Sequence, residues 1–309
     1  VMATASVAPP VVELGRLAGW SPLPLSIRDA RRAATGLRGR LAGHRPRRSV
    51  IRSNGAEPLA RVSRLAVRYG RTVALRNVEL SIRSGEIVAV MGRNGAGKST
   101  LLASLVGLVR PSAGTVTTRG HTPHRTEPEA MIRAVGLVPQ DPADLIYADT
   151  VAAECRDADA DVGADAGSCR AILTRLAPEV DDATHPRDLS EGQQLALALS
   201  IVLTARPPLI LLDEPTRGLD YPAKRRLSAI LRELVADDHA VLLATHDVEL
   251  VAELASRVVV IADGEVVADG PTAQVVVGSP TFAPQVAKVL APEPWLTVDQ
   301  VAGALGAVS

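Results

Sequence analysis

The chain has 309 residues, 47% of them hydrophobic, and its 34 basic residues are balanced by 34 acidic ones. This length allows one large domain or two ordinary ones with a substantial core, and the charge balance shows no global preference for nucleic acid or for an acidic partner. No apolar run reaches the roughly 18 residues of a membrane span, and residues 1–10 lack the charged start and apolar stretch of a signal peptide. We therefore expect any action on a membrane to take place from its cytoplasmic side.

The first 57 residues contain a proline-rich segment followed by an arginine-rich one. Residues 9–33 are "PPVVELGRLAGWSPLPLSIRDARRA", and arginines then cluster with Gly, Pro and Ser as far as Arg52. Residues 28–52 contain no Phe, Tyr or Trp that could stack on bases, which favours a basic helix and mobile linker over a nucleic-acid-binding arm. We assign residues 41–57 to this arginine-rich linker.

From about residue 59 the sequence changes to short β-type runs separated by turns. The runs "LAVRYG", "VALRNVELSIRSGE" and "IVAVMG" come before a helix that starts near Lys98, and "AVGLVPQ", "LILLDE" and "AVLLATHD" follow it. The later runs are apolar almost throughout, as strands covered on both faces must be, so we predict a parallel α/β core. Two β-type runs around Asp263-Gly264 predict a hairpin at the edge of that core.

Residues 92–100, "GRNGAGKST", fit the phosphate-binding pattern G-x-x-x-x-G-K-[ST], and they follow an apolar strand and open a helix, as that pattern requires. Glycines let backbone N–H groups wrap a phosphate chain, and the helix N-terminus adds its positive end. Lys98 would reach the β- and γ-phosphates, Ser99 would bind Mg²⁺ and Thr100 would support the phosphates. The predicted nucleotide-binding residues of this loop are Gly92, Arg93, Asn94, Gly95, Ala96, Gly97, Lys98, Ser99 and Thr100.

Two acidic residues, Asp213 and Glu214, end the buried run "LILLDEP". At a strand end, one carboxylate can hold the Mg²⁺ shell and a second can orient or deprotonate the attacking water. A structural ion pair would look the same, so the neighbouring motifs decide. "LSEGQ" at residues 189–193 precedes this strand, and "ATHD" at residues 244–247 follows it.

In this order and spacing, the motifs resemble the ATP-binding cassette of the ABC superfamily, over about residues 59–277. The resemblance implies an α/β P-loop NTPase with a parallel β core, an antiparallel β subdomain and a helical subdomain that carries the "LSEGQ" signature. It places the ATP-binding domain at residues 58–278 and leaves 279–309 as a C-terminal helical tail. It also implies an ATP hydrolase that uses ATP and Mg²⁺.

The resemblance assigns roles residue by residue. Tyr69 corresponds to the aromatic residue that stacks on adenine, and residues 218–220 correspond to the D-loop, which crosses to a partner cassette. Gln140 corresponds to the glutamine that senses Mg²⁺ and the attacking water, and His246 to the histidine that contacts the γ-phosphate. The implied catalytic residues are Glu214, His246 and Gln140, the metal ligands are Ser99, Gln140 and Asp213, and the nucleotide contacts made across a pair are Ser190, Gly192, Gln193 and Asp220.

The signature departs from the family's commonest form, Leu-Ser-Gly-Gly-Gln, at its third position, where this chain has Glu191. Ser190 and Gly192, whose hydroxyl and backbone N–H would touch phosphate, are both present. A carboxylate in the first turn of a helix favours the helix dipole by roughly 0.3–1 kcal/mol. We expect the Glu191 side chain to point outward and the site to bind ATP. Because one signature closes over the phosphate loop of another cassette, the resemblance implies action as a homodimer or heterodimer.

The segment after Gln140, "DPADLIYADTVAAEC", is similar to that of the ATPase subunits of energy-coupling-factor importers, which take up vitamins and transition-metal ions. "DEPTRGLD" and "ATHDVELVAELA" resemble the same group. This resemblance implies a motor subunit, peripheral at the cytoplasmic face of the cell membrane. Its partners would be a second cassette, a transmembrane scaffold and a substrate-binding membrane subunit, with no nucleic acid.

Other functions stay open. One is the ATPase of another ABC importer or exporter, a second is a soluble tandem-cassette ATPase acting on ribosomes, and a third is a nucleotide-binding regulator without turnover. The ribosomal class typically has an arginine shortly after the His-Asp pair, where this chain has Val248-Glu249. The presence of Glu214 and His246 argues against a regulator without turnover.

The two ends of the chain share a short pattern. "PVVELG" followed by "LSIRD" near the start corresponds to "PQVAKVL" followed by "LTVDQ" near the end, each with a tryptophan before the second part. Ser26 with Asp29, and Thr297 with Gln300, have the form of a capping box, so each predicts a helix start after a proline-rich bend. Two unrelated amphipathic helices would look similar. A true repeat makes residues 1–40 the C-terminal tail of a preceding cassette, and the chain then resembles the second half of a fused tandem importer ATPase.

Overall fold

The computed structural model describes residues 8–46, 57–279 and 281–306 of the chain. The helices are α1 (Pro10–Ala18), α2 (Ile27–Ala33), α3 (Thr35–Leu41), α4 (Lys98–Val106), α5 (Pro128–Ala134), α6 (Val151–Val162), α7 (Ser168–Leu176), α8 (Glu191–Thr204), α9 (Tyr221–Ala236), α10 (Val248–Leu254), α11 (Thr272–Val277), α12 (Gln285–Leu290) and α13 (Val298–Ala304). The strands are β1 (Ala60–Tyr69), β2 (Thr72–Ile82), β3 (Ile87–Met91), β4 (Ala113–Thr118), β5 (Val135–Val138), β6 (Leu209–Asp213), β7 (Ala240–Ala244), β8 (Arg257–Ala262) and β9 (Glu265–Pro271). In these ranges no helix is both long enough and apolar enough to cross a membrane.

The described residues form two compact units. One contains residues 57–246 and Val259–Asp269, and the other contains residues 8–46, Asp247–Val258 and the described residues from Gly270 onward. Helices α10 and α11, which the predicted cassette at residues 58–278 includes, fall in the compact unit that holds the chain ends, and the boundaries of the cassette stay a prediction. A long-range hydrogen bond gives the reason: the backbone N–H of Gln285 donates to Oε1 of Glu249 at 2.8 Å.

The first unit is built around a six-stranded sheet with the order β5-β6-β7-β3-β8-β9. The pairs β5/β6, β6/β7 and β3/β7 are parallel, and every residue of β3, β6 and β7 is buried. Their almost uninterrupted apolar sequence follows from this burial on both faces. Strands β8 and β9 lie at one edge and are joined by Asp263-Gly264, both at positive φ, so the predicted parallel core and edge hairpin are confirmed.

Two smaller parts complete this unit. Strands β2, β1 and β4 form an antiparallel sheet, with Ala60 opposite both Ile82 and Thr118. Helices α6, α7 and α8 pack against one another, and α6 and α8 start at the hydroxyl caps of Thr150 and Ser190. The predicted fold class, with a parallel core, an antiparallel β subdomain and a helical subdomain carrying the signature, is confirmed.

The second unit brings the two ends of the chain together in one hydrophobic cluster. Its apolar side chains come from α1, α2 and α3 and from α12 and α13, and Trp295 is its largest fully buried residue. Helix α1 packs against α12 and α13, and α2 packs against α12. The predicted caps are present: Ser26 and Thr297 each accept a backbone N–H three residues on, at 3.1 and 3.2 Å.

Candidate functional site

The loop of residues 92–97 joins the buried strand β3 to helix α4, which begins at Lys98. The chain turns sharply here at Gly97, with φ +108°, where a Cβ would lie 2.6 Å from the carbonyl oxygen of Ala74. Both the dihedral and the space exclude a side chain. The sequence-predicted order of strand, glycine-rich loop and helix is therefore the observed one.

Lys98 is held inside this loop. Its side chain is 7% exposed, and Nζ donates to the carbonyl oxygens of Gly92 and Arg93 at 3.0 and 3.4 Å. Nζ also lies 3.9 Å from Oε1 of Glu214. The ammonium is thus fixed at the loop's centre, next to a carboxylate, where it can bind phosphate without first being desolvated.

Asp213 ends β6 with a buried carboxylate. Burial raises the pKa of Asp213 above its ordinary range; a hydrogen bond with Ser99 opposes this shift, and the charge of Glu214 adds to it. Its Oδ1 has no hydrogen-bond partner among the described residues. An unpaired carboxylate oxygen beside a serine hydroxyl fits Mg²⁺, which takes oxygen ligands and commonly uses one or two carboxylates plus substrate phosphates.

Glu214 follows at φ +51°, in the left-handed region, with its backbone N–H bonded to the Ala244 carbonyl at 2.8 Å. Oε2 lies 2.8 Å from Nδ1 of His246, and it accepts hydrogen bonds from the Thr245 hydroxyl at 3.3 Å and the His246 backbone N–H at 3.4 Å. These contacts fix one carboxylate oxygen, while the other faces Lys98. His246 keeps 76% of its side chain exposed and so remains available to a ligand.

These residues line one cavity of about 590 Å³, a size suited to a nucleotide. Sequence-predicted residues in its lining are Asn94, Gly95, Gly97, Lys98, Ser99, Thr100, Gln140, Asp213, Glu214 and His246. Gly92, Arg93 and Ala96 belong to the same loop but do not line the cavity, and the carbonyls of Gly92 and Arg93 instead accept from Lys98. Tyr69, 52% exposed at the end of β1, also lies outside this lining, and adenine stacking on it stays a prediction.

Sequence reasoning missed two residues of this site. Arg217 lines the cavity, and Thr245 fixes Glu214. A signal existed for Arg217, because an arginine three residues after a pair of carboxylates places positive charge beside them. Thr245 had no comparable signal, since a threonine at the end of a buried strand is an ordinary strand residue.

The signature residues Ser190, Gly192 and Gln193 do not line this cavity. Ser190 caps α8 in a full capping box with Gln193, and both residues line a separate cavity of about 270 Å³ together with Gly192 and Asp220. Asp220 caps α9, accepting the Ala223 backbone N–H at 2.8 Å. Glu191 is exposed, and its side chain lies against Gly218. The chain therefore separates its phosphate loop from its signature, and each cavity contains only part of the predicted site.

Comparison with known proteins decides the family. Residues 75–217 match the ABC transporter family. The chain is 37% identical, over 69% of its length and 79% of the relative's, to the cobalt import ATP-binding protein CbiO of Rhodobacter capsulatus. This chain belongs to the ABC transporter family. Its cassette is an ABC-type ATPase that binds ATP.

Two further ABC proteins add detail. A putative ABC transporter ATP-binding protein of Streptomyces avermitilis is 62% identical over 99% of the chain, and the chain spans about three fifths (59%) of that relative. The dimeric structure of the ABC cassette MJ0796, in a post-hydrolysis state with ADP and Pi, has a TM-score of 0.61 at 27% identity. That likeness covers 69% of this chain and 98% of the solved one.

Proposed function

We propose that this chain is the ATP-hydrolysing motor subunit of a membrane importer of the energy-coupling-factor type, acting on vitamins or transition-metal ions. One observation carries the proposal. The phosphate loop, two carboxylates and a histidine meet in one cavity, while the signature residues Ser190, Gly192 and Gln193 line another. Such a half-site is suited to coupling ATP hydrolysis to the closure of two cassettes, which a motor requires.

Within the cassette, each polar group has a distinct task. Lys98 and the backbone N–H groups of residues 92–100 bind the β- and γ-phosphates, and Asp213, Ser99 and Gln140 would hold Mg²⁺. When bound, Mg²⁺ neutralises the phosphate charge. Glu214 orients the attacking water and accepts its proton, because its carboxylate is fixed on one oxygen and lines the cavity with the other groups. His246 contacts the γ-phosphate from the exposed rim.

A second cassette completes the site. The loose transition state of phosphoryl transfer carries charge on all three equatorial oxygens, so donors are needed on the side that the phosphate loop leaves open. Ser190, Gly192 and Gln193 would supply them to a partner's nucleotide, since they line a cavity of their own. The dimeric state of the matched cassette MJ0796 supports this arrangement.

A groove lined by residues of the segment that follows Gln140 is the site we propose for the membrane partner. This cavity, of about 240 Å³, lies between the loop after Gln140 and the turn before the signature, and Tyr147 stands at its edge with 84% of its surface exposed. Gln194 lines this groove and also a cavity next to Glu214, and its side chain donates to the Pro186 carbonyl at 3.1 Å. A helix of a transmembrane scaffold seated here would contact a residue that borders the catalytic carboxylate.

The packing of the chain ends supports the proposed tandem origin. In the N-terminal segment α1 precedes α2, and in the C-terminal tail α12 precedes α13. The first helix of the N-terminal segment packs against the second helix of the tail, and its second helix packs against the first helix of the tail. Two copies of one motif related by a two-fold axis pair in this reciprocal way. We therefore infer that residues 1–40 correspond to the tail of a preceding cassette. In this arrangement the linker is residues 41–57, of which 47–56 lie outside the described residues, and the ATP-binding domain starts near residue 58.

Two measurements test the motor function. The purified chain should hydrolyse ATP in a Mg²⁺-dependent manner, and Glu214→Gln should lower turnover by about 10²–10⁴-fold while keeping ATP bound. A tagged chain, solubilised in detergent from its native host, should bring down hydrophobic membrane subunits. Recovery with ribosomes in a sucrose gradient, and no membrane subunits, would instead favour the tandem ribosomal class. Absence of Mg²⁺-dependent hydrolysis would contradict the motor function.

A further inference from the structure

The unusual signature residue Glu191 lies on the D-loop of its own cassette. It is the first residue of α8, and its side chain covers the Cα of Gly218. A Cβ on Gly218 would overlap the Glu191 carboxylate and would lie 2.7 Å from its Cβ and 3.0 Å from its Cδ. Gly218 also has φ +71°. Position 218 thus requires glycine for two reasons, and one of them is Glu191.

A second contact lies one residue further on. A Cβ on Gly192 would lie 3.1 Å from Cδ2 of Leu219. Glu191 therefore covers a glycine of the D-loop, and Leu219 covers a glycine of the signature. In each segment one side chain therefore packs against a glycine of the other segment. This packing fixes the signature and the D-loop relative to each other, because close-packed side chains leave little room for a shift.

A short run of turns joins the D-loop, residues 218–220, to Glu214. Arg217 N–H bonds to the Glu214 carbonyl at 3.2 Å, and Leu219 N–H bonds to the Thr216 carbonyl at 3.3 Å, so residues 214–219 form consecutive turns. Glu191, Arg217 and Glu214 line one cavity of about 160 Å³. A displacement of Gly218 would be passed through these short turns to the backbone of Glu214, which already holds an uncommon positive φ.

We propose that Glu191 is a positioning residue that locks the signature segment to the D-loop of the same cassette. Through this contact, Ser190 and Gly192, which act on a partner's nucleotide, move as one body with the loop that carries Glu214. A glycine at position 191 would leave the face of Gly218 uncovered and allow the D-loop to sample other conformations. The inference rests on the proposed roles of Glu214 and the signature residues.

Hydrogen exchange tests the contact without turnover. In the nucleotide-free full chain, backbone amides of residues 216–220 should exchange about tenfold faster in Glu191→Gly than in wild type. Glu191→Gln keeps the shape of the side chain and should retain the wild-type rate. Equal exchange in wild type and Glu191→Gly would overturn the proposal, as would fast exchange in Glu191→Gln.

A double-mutant cycle provides an independent readout. Gly218→Ala should lower the thermal midpoint, and this loss should be smaller when Glu191→Gly is also present, because the overlapping side chain is gone. Additive shifts would overturn the proposed contact. The same cycle remains informative if one single variant is too unstable for exchange measurements.

Turnover tests the consequence for catalysis. Glu191→Gly should lower kcat about tenfold and change the KM for ATP less than twofold, because the general base is misplaced while the phosphate loop is untouched. Glu191→Gln should have the kcat of wild type. An unchanged or higher kcat in Glu191→Gly would overturn the proposal. A wild-type chain without ATPase activity would overturn the motor function instead, and the exchange result would still decide the contact.

Discussion

Replacing Asp213 by Asn should stabilise the nucleotide-free protein and weaken its response to Mg·ATP. The carboxylate is 7% exposed, its Oδ1 has no partner among the described residues, and the Glu214 charge is close by. Without a cation, this arrangement holds an unfavourable buried charge for the sake of binding. The amide has almost the same shape and carries no charge.

The expected magnitude follows from that burial. A buried polar atom without a hydrogen-bond partner costs roughly 1–3 kcal/mol. The amide of Asp213→Asn removes the charge but still has one buried polar atom without a partner, so we expect the free energy of unfolding to rise by only about 1 kcal/mol. For a chain of 309 residues that is a rise of about 1.5 °C in the thermal midpoint measured with EDTA. At a Mg·ATP concentration of 100 times Kd, wild type should gain about 2.7 kcal/mol and Asp213→Asn much less, so the order of stabilities reverses.

The effect should depend on pH. Burial raises the pKa of Asp213 in the folded protein. The free energy of unfolding of wild type is therefore highest below the ordinary carboxyl pKa, and it falls as the pH rises through the raised pKa of the folded state. The advantage of Asp213→Asn should therefore be absent at low pH and full at pH 8. Asp157→Asn, at an exposed position of α6, is the matched control. It should leave the thermal midpoint unchanged both in EDTA and in Mg·ATP. Equal midpoints of Asp213→Asn and wild type in EDTA at pH 8 would refute the reasoning.

Three other changes have definite expected outcomes. Gly97→Ala should abolish ATP binding measured by calorimetry, because its Cβ would lie 2.6 Å from the Ala74 carbonyl oxygen at φ +108°; retained affinity would show that the loop rearranges. Thr245→Val should lower kcat about tenfold with little change in KM, because Glu214 loses a hydroxyl donor, and Thr245→Ser should restore it; a parallel rise in KM would contradict a role in positioning the base. Deleting residues 1–57 should keep the Kd for ATP within about twofold but increase binding of a hydrophobic dye, because α12 and α13 lose their packing partners. Additional deletion of residues 279–309 should bring dye binding back to the wild-type level. Loss of ATP binding in the first deletion would show that residues 1–57 belong to the cassette itself.

The local parts of the site could be predicted from sequence because their determinants are contiguous. The loop ending at Lys98 shows strand, glycines and helix in a single run of residues. Glu214 and His246 were predictable as neighbours because they follow strands β6 and β7, whose carboxyl ends meet at one edge of a parallel sheet. The capping residues Ser26 and Thr297 were likewise set by a four-residue pattern.

What sequence could not provide depends on contacts between distant residues. Sequence could not show that α10 is tied to the C-terminal tail, because the Glu249–Gln285 hydrogen bond has no local signature. The direction of the Glu191 side chain depends on Gly218, which is far along the chain and packs against it only in the folded state. Acidic charge alone suggested an outward direction, whereas the side chain is exposed on one side and packed on the D-loop on the other.

We propose that this cassette holds half of a catalytic site and that another cassette completes it. The most direct measurement is the native mass of Glu214→Gln with and without Mg·ATP, because slow hydrolysis should preserve the closed pair. We predict a shift from one chain to two when Mg·ATP is added, and no shift in the double variant Glu214→Gln/Ser190→Ala, which keeps its own phosphate loop but lacks a signature hydroxyl. A Glu214→Gln chain that binds Mg·ATP and remains single would contradict completion by a second copy of this chain.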